Sequence, residues 1–343
     1  MARKLARIVR IDAISPIKGA DAIETAHIGG WSVVVKKNEF APGALGIYFE
    51  IDSFLPDGNP AWQFLVDKVP ADFNGQRGHV LRSVKLRGQV SQGLLLPLAT
   101  SHAAFTPGMD VTDLLGVTKY EAPLPKELQG KARGYFPGLV PKTDEERIQN
   151  LPDELADWQQ RTGADAIVWE ISEKLEGNSC TWALLSGEFH VCSRAVDYFE
   201  DASNPLWAVA RRHDVEARLR ALLGERNIAL QGELVGPGIE GNIYGFAEHE
   251  FYLFRVYDVE RGTWFTPHER RALASALGIQ HTPVIDEAFV LTPETGMSKL
   301  LTMADGASCL NPHQRREGLV FKARGLDVSF KVISNSYLLG QKL

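Results

Sequence analysis

The sequence predicts two domains: an all-β barrel followed by an α+β domain built on antiparallel sheets. Three observations predict this. Residues 1–98 break into short strand-like runs separated by turn signals. Residues 120–141 hold four prolines and three glycines with no sustained period, as a linker does. Beyond them, strand-like runs far apart in the chain are interleaved with helical patterns.

The barrel is read from "LARIVRIDAIS", "WSVVVKK", "ALGIYFEIDSFLP", "HVLRSVKLRG" and "SQGLLLPL", punctuated by Gly29-Gly30, Pro42-Gly43 and Asp57-Gly58. About five strands in roughly a hundred residues suit an OB-type barrel over 1–120, and a lone SH3-like barrel would give a similar pattern. A linker is expected at 121–141 and the α+β domain at 142–343. That domain is expected to begin with a polar helix pair in "KTDEERIQNLPDELADWQQRTG". Its strands are "AIVWEISEKLEG", "TWALLSGEFHVCSR", "IALQGELVG", "FYLFRVYDV", "EGLVFKAR" and "DVSFKVIS". Helical patterns lie between them at "DVEARLRALLGERN" and "PHERRALASALG".

Composition bounds the rest. The 343 residues are 44% apolar and 23% charged, ordinary for a folded chain with two cores. No apolar run approaches the length of a bilayer span, and no membrane partner is expected. The basic N-terminus lacks an apolar signal core. Three cysteines, Cys180, Cys192 and Cys309, are too few and too scattered for a disulfide framework or a zinc site, so a reducing cytoplasm is expected. The net charge is −6, and residues 1–125 carry 13 Lys/Arg against 12 Asp/Glu. Neither half is basic, so any polyanion must be held by a local patch.

The stretch "EISEKLEGNSCTWALL" carries the first chemical signal. Lys174-Leu175-Glu176-Gly177 follows a strand that alternates apolar Ile167, Trp169 and Ile171 with polar Glu170 and Ser172, and Gly177 permits a tight turn and close backbone approach. Taken alone, such a lysine more often ends a strand in solvent. Downstream, in order, come Arg194 in "VCSR", Glu233 in "LQGELVGPGI", and Phe251, Tyr252, Phe254 and Tyr257 in "EFYLFRVYD". Glu317 and Lys322 follow in "REGLVFKAR" and Lys331 in "VSFKVISNSY". Each has a bland reading, as a core stripe or a solvated strand face. All five segments in this order point to one site.

Over about 170–343 the chain resembles the covalent nucleotidyltransferases: ATP-dependent DNA ligases, RNA ligases and GTP-dependent mRNA capping enzymes. The resemblance implies that Lys174 attacks the α-phosphorus of a nucleoside triphosphate, forming a lysyl phosphoramidate and releasing pyrophosphate. A free lysine, pKa near 10.4, is protonated at neutral pH, so nearby cations are expected to lower that value and to offset charge on the phosphorane. Arg194, Lys322 and Lys331 fit this cationic role, with Lys331 at the α-phosphate. Glu317 is implied to hold a hydrated divalent cation, Mg²⁺ or Mn²⁺, and Glu233 to bind the ribose hydroxyls or lie near that cation. Phe254 is implied to stack on adenine, and Glu173 to accept from its amino group, favouring ATP. Two departures stand out. The family usually has Asp where Glu176 stands, and its last motif commonly reads Lys-x-Lys where this chain has Ser329-Phe330-Lys331.

The order of the domains, barrel before nucleotidyltransferase, is similar to that of a small group of RNA ligases, the bacterial nick-sealing type with an N-terminal OB domain. The wording of "ISPIKGADAIETAHIGGWSVVVKKNEFAPGALGIYFEIDSFLP" and "KLRGQVSQGLLLPL" extends the resemblance to nearly the whole chain. Lys331 lies twelve residues from the last one given, which leaves no room for the C-terminal domains of DNA ligases, capping enzymes or phage-type RNA ligases. The resemblance implies a monomer that seals nicked duplexes with an RNA 3′-OH strand through lysyl-AMP and an adenylylated 5′-end. DNA ligation is the competing enzyme reading, and an OB-fold nucleic-acid binding protein without catalysis is the competing class. In the barrel, Lys85 and Arg87 are expected on one strand face and Lys36 and Lys37 at the end of another strand, either solvated or steadying the duplex.

Overall fold

A computed structural model describes residues 4–65, 70–98, 105–120, 128 and 130–340. The chain divides into two compact units, Met1–Pro123 and Leu124–Leu343.

The first unit is all-β among its described residues, apart from one 3-10 segment at Pro60–Leu65. Ala6–Arg10, Leu45–Phe49 and Leu94–Pro97 form one antiparallel sheet, and Ala13–Pro16, Ile23–Ile28 and Trp31–Lys36 another. Gly29 and Gly30 both take positive φ (51° and 89°), as the tight hairpin joining Ile28 to Trp31 requires. Two apolar clusters fill the unit, one around Ile8, Phe49 and Trp62, the other around Trp31, Val33 and Tyr48. The strand Ile23–Ile28 is not among the expected runs. Its sequence, "IETAHI", alternates too weakly to stand out, and pairing on both sides specifies it.

The second unit holds two sheets. The larger runs Ala132–Tyr135, Val196–Tyr198, Glu188–Cys192, Asn178–Leu185, Ile228–Val235, Glu250–Asp258 and Thr263–Trp264, with Gln280–His281 pairing in parallel to Glu250–Asp258. The smaller runs Glu146–Arg147, Ser329–Ile333, Gly318–Ala323, Val168–Lys174 and Val284–Val290. Its Glu146–Arg147 pair is parallel; the other ladders are antiparallel. Helices Pro205–Arg212, Val215–Leu223 and Pro267–Leu277 back the larger sheet through a core of Trp182, Leu230, Phe251 and Leu277. The last of these helices is delimited by a Thr266/Glu269 capping box, Pro267 in its first turn and Gly278 in the left-handed region. Pro152–Gln160 and Met297–Ala304 back the smaller sheet, where Trp158, Trp169, Phe321 and Phe330 pack ring on ring.

Two expectations are corrected. The polar helix pair is one α-helix, Pro152–Gln160, because Glu146–Arg147 finds a ladder against Phe330–Lys331 instead. The segment expected as linker becomes, at Ala132–Tyr135, the edge strand of the larger sheet, and Val140 is buried; residues 121–127 and 129 of that segment lie outside the described residues. No helix among the described residues is long and apolar enough to cross a membrane.

Candidate active site

The uncovered faces of the two sheets in the second unit meet around a cavity of about 340 Å³, a size suited to a small ligand. Lys174, Glu173, Arg194, Glu233, Phe254, Lys322 and Lys331 all line it. Strand alternation explains most of these positions. Phe330 and Val332 enter the core of the smaller sheet, which turns Lys331 to the other face; Trp169 and Ile171 do the same for Lys174. In Ile228–Val235, Leu230 and Leu234 are core, and Glu233 faces the cavity.

Phe254 is placed by a different device. Gln231 pairs with Arg255 and Gly232 with Leu253, so Phe254 is the extra residue of a β-bulge. Gly232 makes the surrounding packing possible, since a Cβ there would lie 2.3 Å from the Phe251 ring, which stacks on Trp182. The bulge frees the Phe254 carbonyl from the ladder, and Lys322 Nζ donates to it at 2.7 Å while lying 5.3 Å from the ring centroid. Burial, then Arg270 and Arg255, push the Lys322 pKa well below the ordinary lysine value. The amine expected at the phosphates thus also holds the backbone of Phe254.

Lys174 Nζ donates to Glu317 Oε2 at 2.6 Å. Burial pulls the Lys174 pKa down, but Glu317 and Glu233 outweigh it and hold the value above the ordinary one. The expected lowering depends on a divalent cation beside the phosphates; the chain's own carboxylates act in the opposite direction. Burial raises Glu233 to about 8, with Lys174 opposing and Glu317 adding. Glu176 is raised to about 7 by burial, Glu317 and Glu240. Burial and mutual repulsion thus make Glu233 and Glu176 hold their protons more readily than free carboxylates do.

Asp144 accepts from Lys331 Nζ (3.1 Å) and Arg194 Nη2 (2.8 Å), joining two of the three expected phosphate cations. Arg194 stands 67% exposed at the rim. Glu145 is held below the usual carboxylate range, Arg255 and Lys322 outweighing its burial. Neither acid stands out in the sequence, because "KTDEER" has no period and its partner strand lies nearly two hundred residues away. Glu173 is 1% exposed; its Oε2 accepts from the Cys309 N–H at 2.6 Å, and its Oε1 is buried with no partner.

Gly177 is not in the left-handed region; it is small because the strand carrying Glu233 runs against it. A Cβ would lie 2.4 Å from Leu234 O and 2.9 Å from Glu233 Cγ. Gly177→Ala is expected to cost about 1–3 kcal/mol of stability by overpacking and to displace Glu233. Urea unfolding checks it, and an unchanged midpoint would contradict the close approach.

The four basic residues singled out in the barrel belong to the first unit. Lys36 ends Trp31–Lys36 and Lys37 follows it. Lys85 is exposed in Ser83–Leu86, but Arg87 does not share its strand face: with φ of 49°, beside Gly88 at 81°, it sits in the tight turn to Gln89.

A lysine facing carboxylates, cations and an aromatic platform across two antiparallel sheets defines a nucleotidyltransferase-type site. A family model described as RNA ligase matches residues 167–333, and an OB-fold domain model matches residues 5–98. Among solved structures, an apo variant of an RNA ligase from Naegleria gruberi is 41% identical, with a TM-score of 0.78 over 98% of this chain and 97% of that one. A variant with AMP and manganese is 41% identical, with a TM-score of 0.79 over 99% of both chains. The form with pyrophosphate is 41% identical, with a TM-score of 0.77 over 98% of both. No curated protein matches. The chain belongs to the RNA ligase family.

Proposed function

We propose that this enzyme is an ATP-dependent ligase that seals 3′-OH/5′-phosphate breaks, nicks with an RNA 3′-OH strand foremost. The observation that carries the reading is the convergence of Lys174, Glu233, Phe254 and Lys331, from four strands, on one cavity. The Naegleria neighbours with ATP and manganese, AMP and manganese, or pyrophosphate support it.

Lys174 first loses its ammonium proton to solvent; Nζ then attacks the α-phosphorus of ATP, the N–P bond forms as the bond to pyrophosphate breaks, and a second proton leaves the nitrogen for solvent. The RNA 5′-phosphate then takes AMP from the lysine, and the 3′-OH displaces AMP to leave a phosphodiester. Lys331 and Arg194, released from Asp144, face the phosphates. Phe254 stacks on the base, and the unpartnered Glu173 Oε1 accepts from the adenine amino group. Glu317 and Glu233 offer hard oxygens to Mg²⁺ or Mn²⁺. Held by Glu317 and Glu233, such an ion would supply positive charge to offset the α-phosphate oxygens. Three free cysteines fit a reducing cytoplasm.

ATP labelled at the α-phosphate is expected to mark the denatured protein, with GTP failing to do so and Lys174→Ala taking no label. Equal labelling of that variant would end the proposal. Nicks that differ only in the 3′-terminal sugar are expected to seal faster with ribose, and equal rates would favour DNA ligation.

A further inference from the structure

Lys174 sits at the end of a strand, where the chain leaves its ladder and enters the turn Leu175–Gly177. Strand ends fray unless something outside the ladder fixes them. Two loops supply that here, one on each side of the lysine. Before it, the Cys309 N–H donates to Glu173 Oε2 at 2.6 Å. After it, the Glu176 N–H donates to the Tyr244 phenolic oxygen at 2.7 Å. The loops are tied to each other, since Asn311 Nδ2 donates to the Ile243 carbonyl at 2.9 Å. Tyr244 is 7% exposed and packs with Leu175, Val235 and Tyr252, so its ring cannot follow the turn if the turn moves.

We infer that Tyr244 is a positioning residue for the nucleophile: by accepting the Glu176 N–H it fixes the turn that aims Lys174 at the α-phosphorus. The inference rests on the ligase reading above and deepens it. Tyr244 makes no contact with reacting atoms. Its effect should be confined to the steps in which the lysine bonds to phosphorus or releases it. Sealing a 5′-end that already carries adenylate forms no bond to Lys174, so that step should not depend on the phenol.

The test uses the full chain and two variants. Tyr244→Phe removes the acceptor and keeps the ring; Tyr252→Phe removes a hydroxyl from the same apolar cluster without touching the Glu176 N–H. For Tyr244→Phe the maximal rate of adenylylation should fall about 10- to 100-fold, the range a small misplacement of reacting groups produces. The ATP concentration for half-maximal rate should stay within about twofold, because base and phosphate contacts are unaltered. Sealing of a pre-adenylylated nick should be retained, and Tyr252→Phe should match the parent in all three. An unchanged adenylylation rate in Tyr244→Phe overturns the inference. So does an equal fall in Tyr252→Phe, or a parallel fall in all three measures, which a general loosening would give. A parent protein that takes no label overturns the ligase reading itself, and labelled parent with equally labelled Tyr244→Phe overturns this inference alone.

Discussion

Glu317→Gln is expected to slow lysine adenylylation by about 10²- to 10³-fold, the loss typical of removing one preorganised electrostatic group from an active site. The substitution keeps size and one hydrogen-bonding oxygen, so the 2.6 Å contact to Lys174 can persist in neutral form. What it removes is the charge. That charge holds the resting lysine in place and, in the proposed mechanism, is what a hydrated cation takes over when ATP arrives. Stability should change little, because the partly exposed lysine can reach water or shed its proton rather than remain an unpaired buried ion. Single-turnover labelling with ATP marked at the α-phosphate, beside thermal unfolding, separates the two effects. An unchanged labelling rate would remove Glu317 from the mechanism.

Much of this site was legible in the sequence because its chemistry lies on strands. Lys174, Glu233 and Lys331 each sit in a run whose alternate residues are core, so pattern and position agree. The remainder depends on contacts that pattern does not encode. Phe254 stands among four aromatic residues of one strand, and only the bulge between Leu253 and Arg255 distinguishes it. That Lys322 also holds the Phe254 carbonyl follows from a bulge on a distant strand. Tyr244 and Cys309 act through loops whose paths are set by packing at the far side of the nucleophile strand. Asp144 matters because a two-residue parallel ladder brings it beside Lys331. The barrel's strands were legible in the same way, but the place of Arg87 was not, since a two-residue turn ends the strand one residue before it. Glu170 misleads in another sense: alternation makes it a solvated residue, yet both faces of Val168–Lys174 are buried.

Arg270→Leu is expected to destabilise the second unit by about 3–5 kcal/mol, because it strands the Glu170 carboxylate, itself 1% exposed. Arg270 pairs with Glu170, and its Nε donates to His281 Nε2 at 2.8 Å; Arg271 donates to the other Glu170 oxygen at 2.9 Å. Arg271 remains in the variant, which places the loss toward the lower end. The same cluster sets an acid limit on the fold. Burial, then Arg270, hold the His281 pKa down from 6.5 to about 4, with Lys322 adding and Glu170 opposing. The folded imidazole is therefore neutral where the unfolded one takes a proton. Stability from this group is full above pH 6.5 and falls as pH drops toward 4, by about 3 kcal/mol in all. Glu170 contributes in a lower window. Burial raises its pKa, but Arg270 and Lys322 outweigh burial and depress it, so its share is present above the unfolded carboxylate value near 4.5 and is lost below it. Urea unfolding of the parent at pH 7, 5.5 and 4.5 should show the earlier loss, and His281→Gln should flatten the slope between pH 6.5 and 4.5 while leaving the steeper acid limb. A parent and variant with the same slope in that interval would mean that His281 titrates alike in the folded and unfolded chain, and that Arg270 does not govern it.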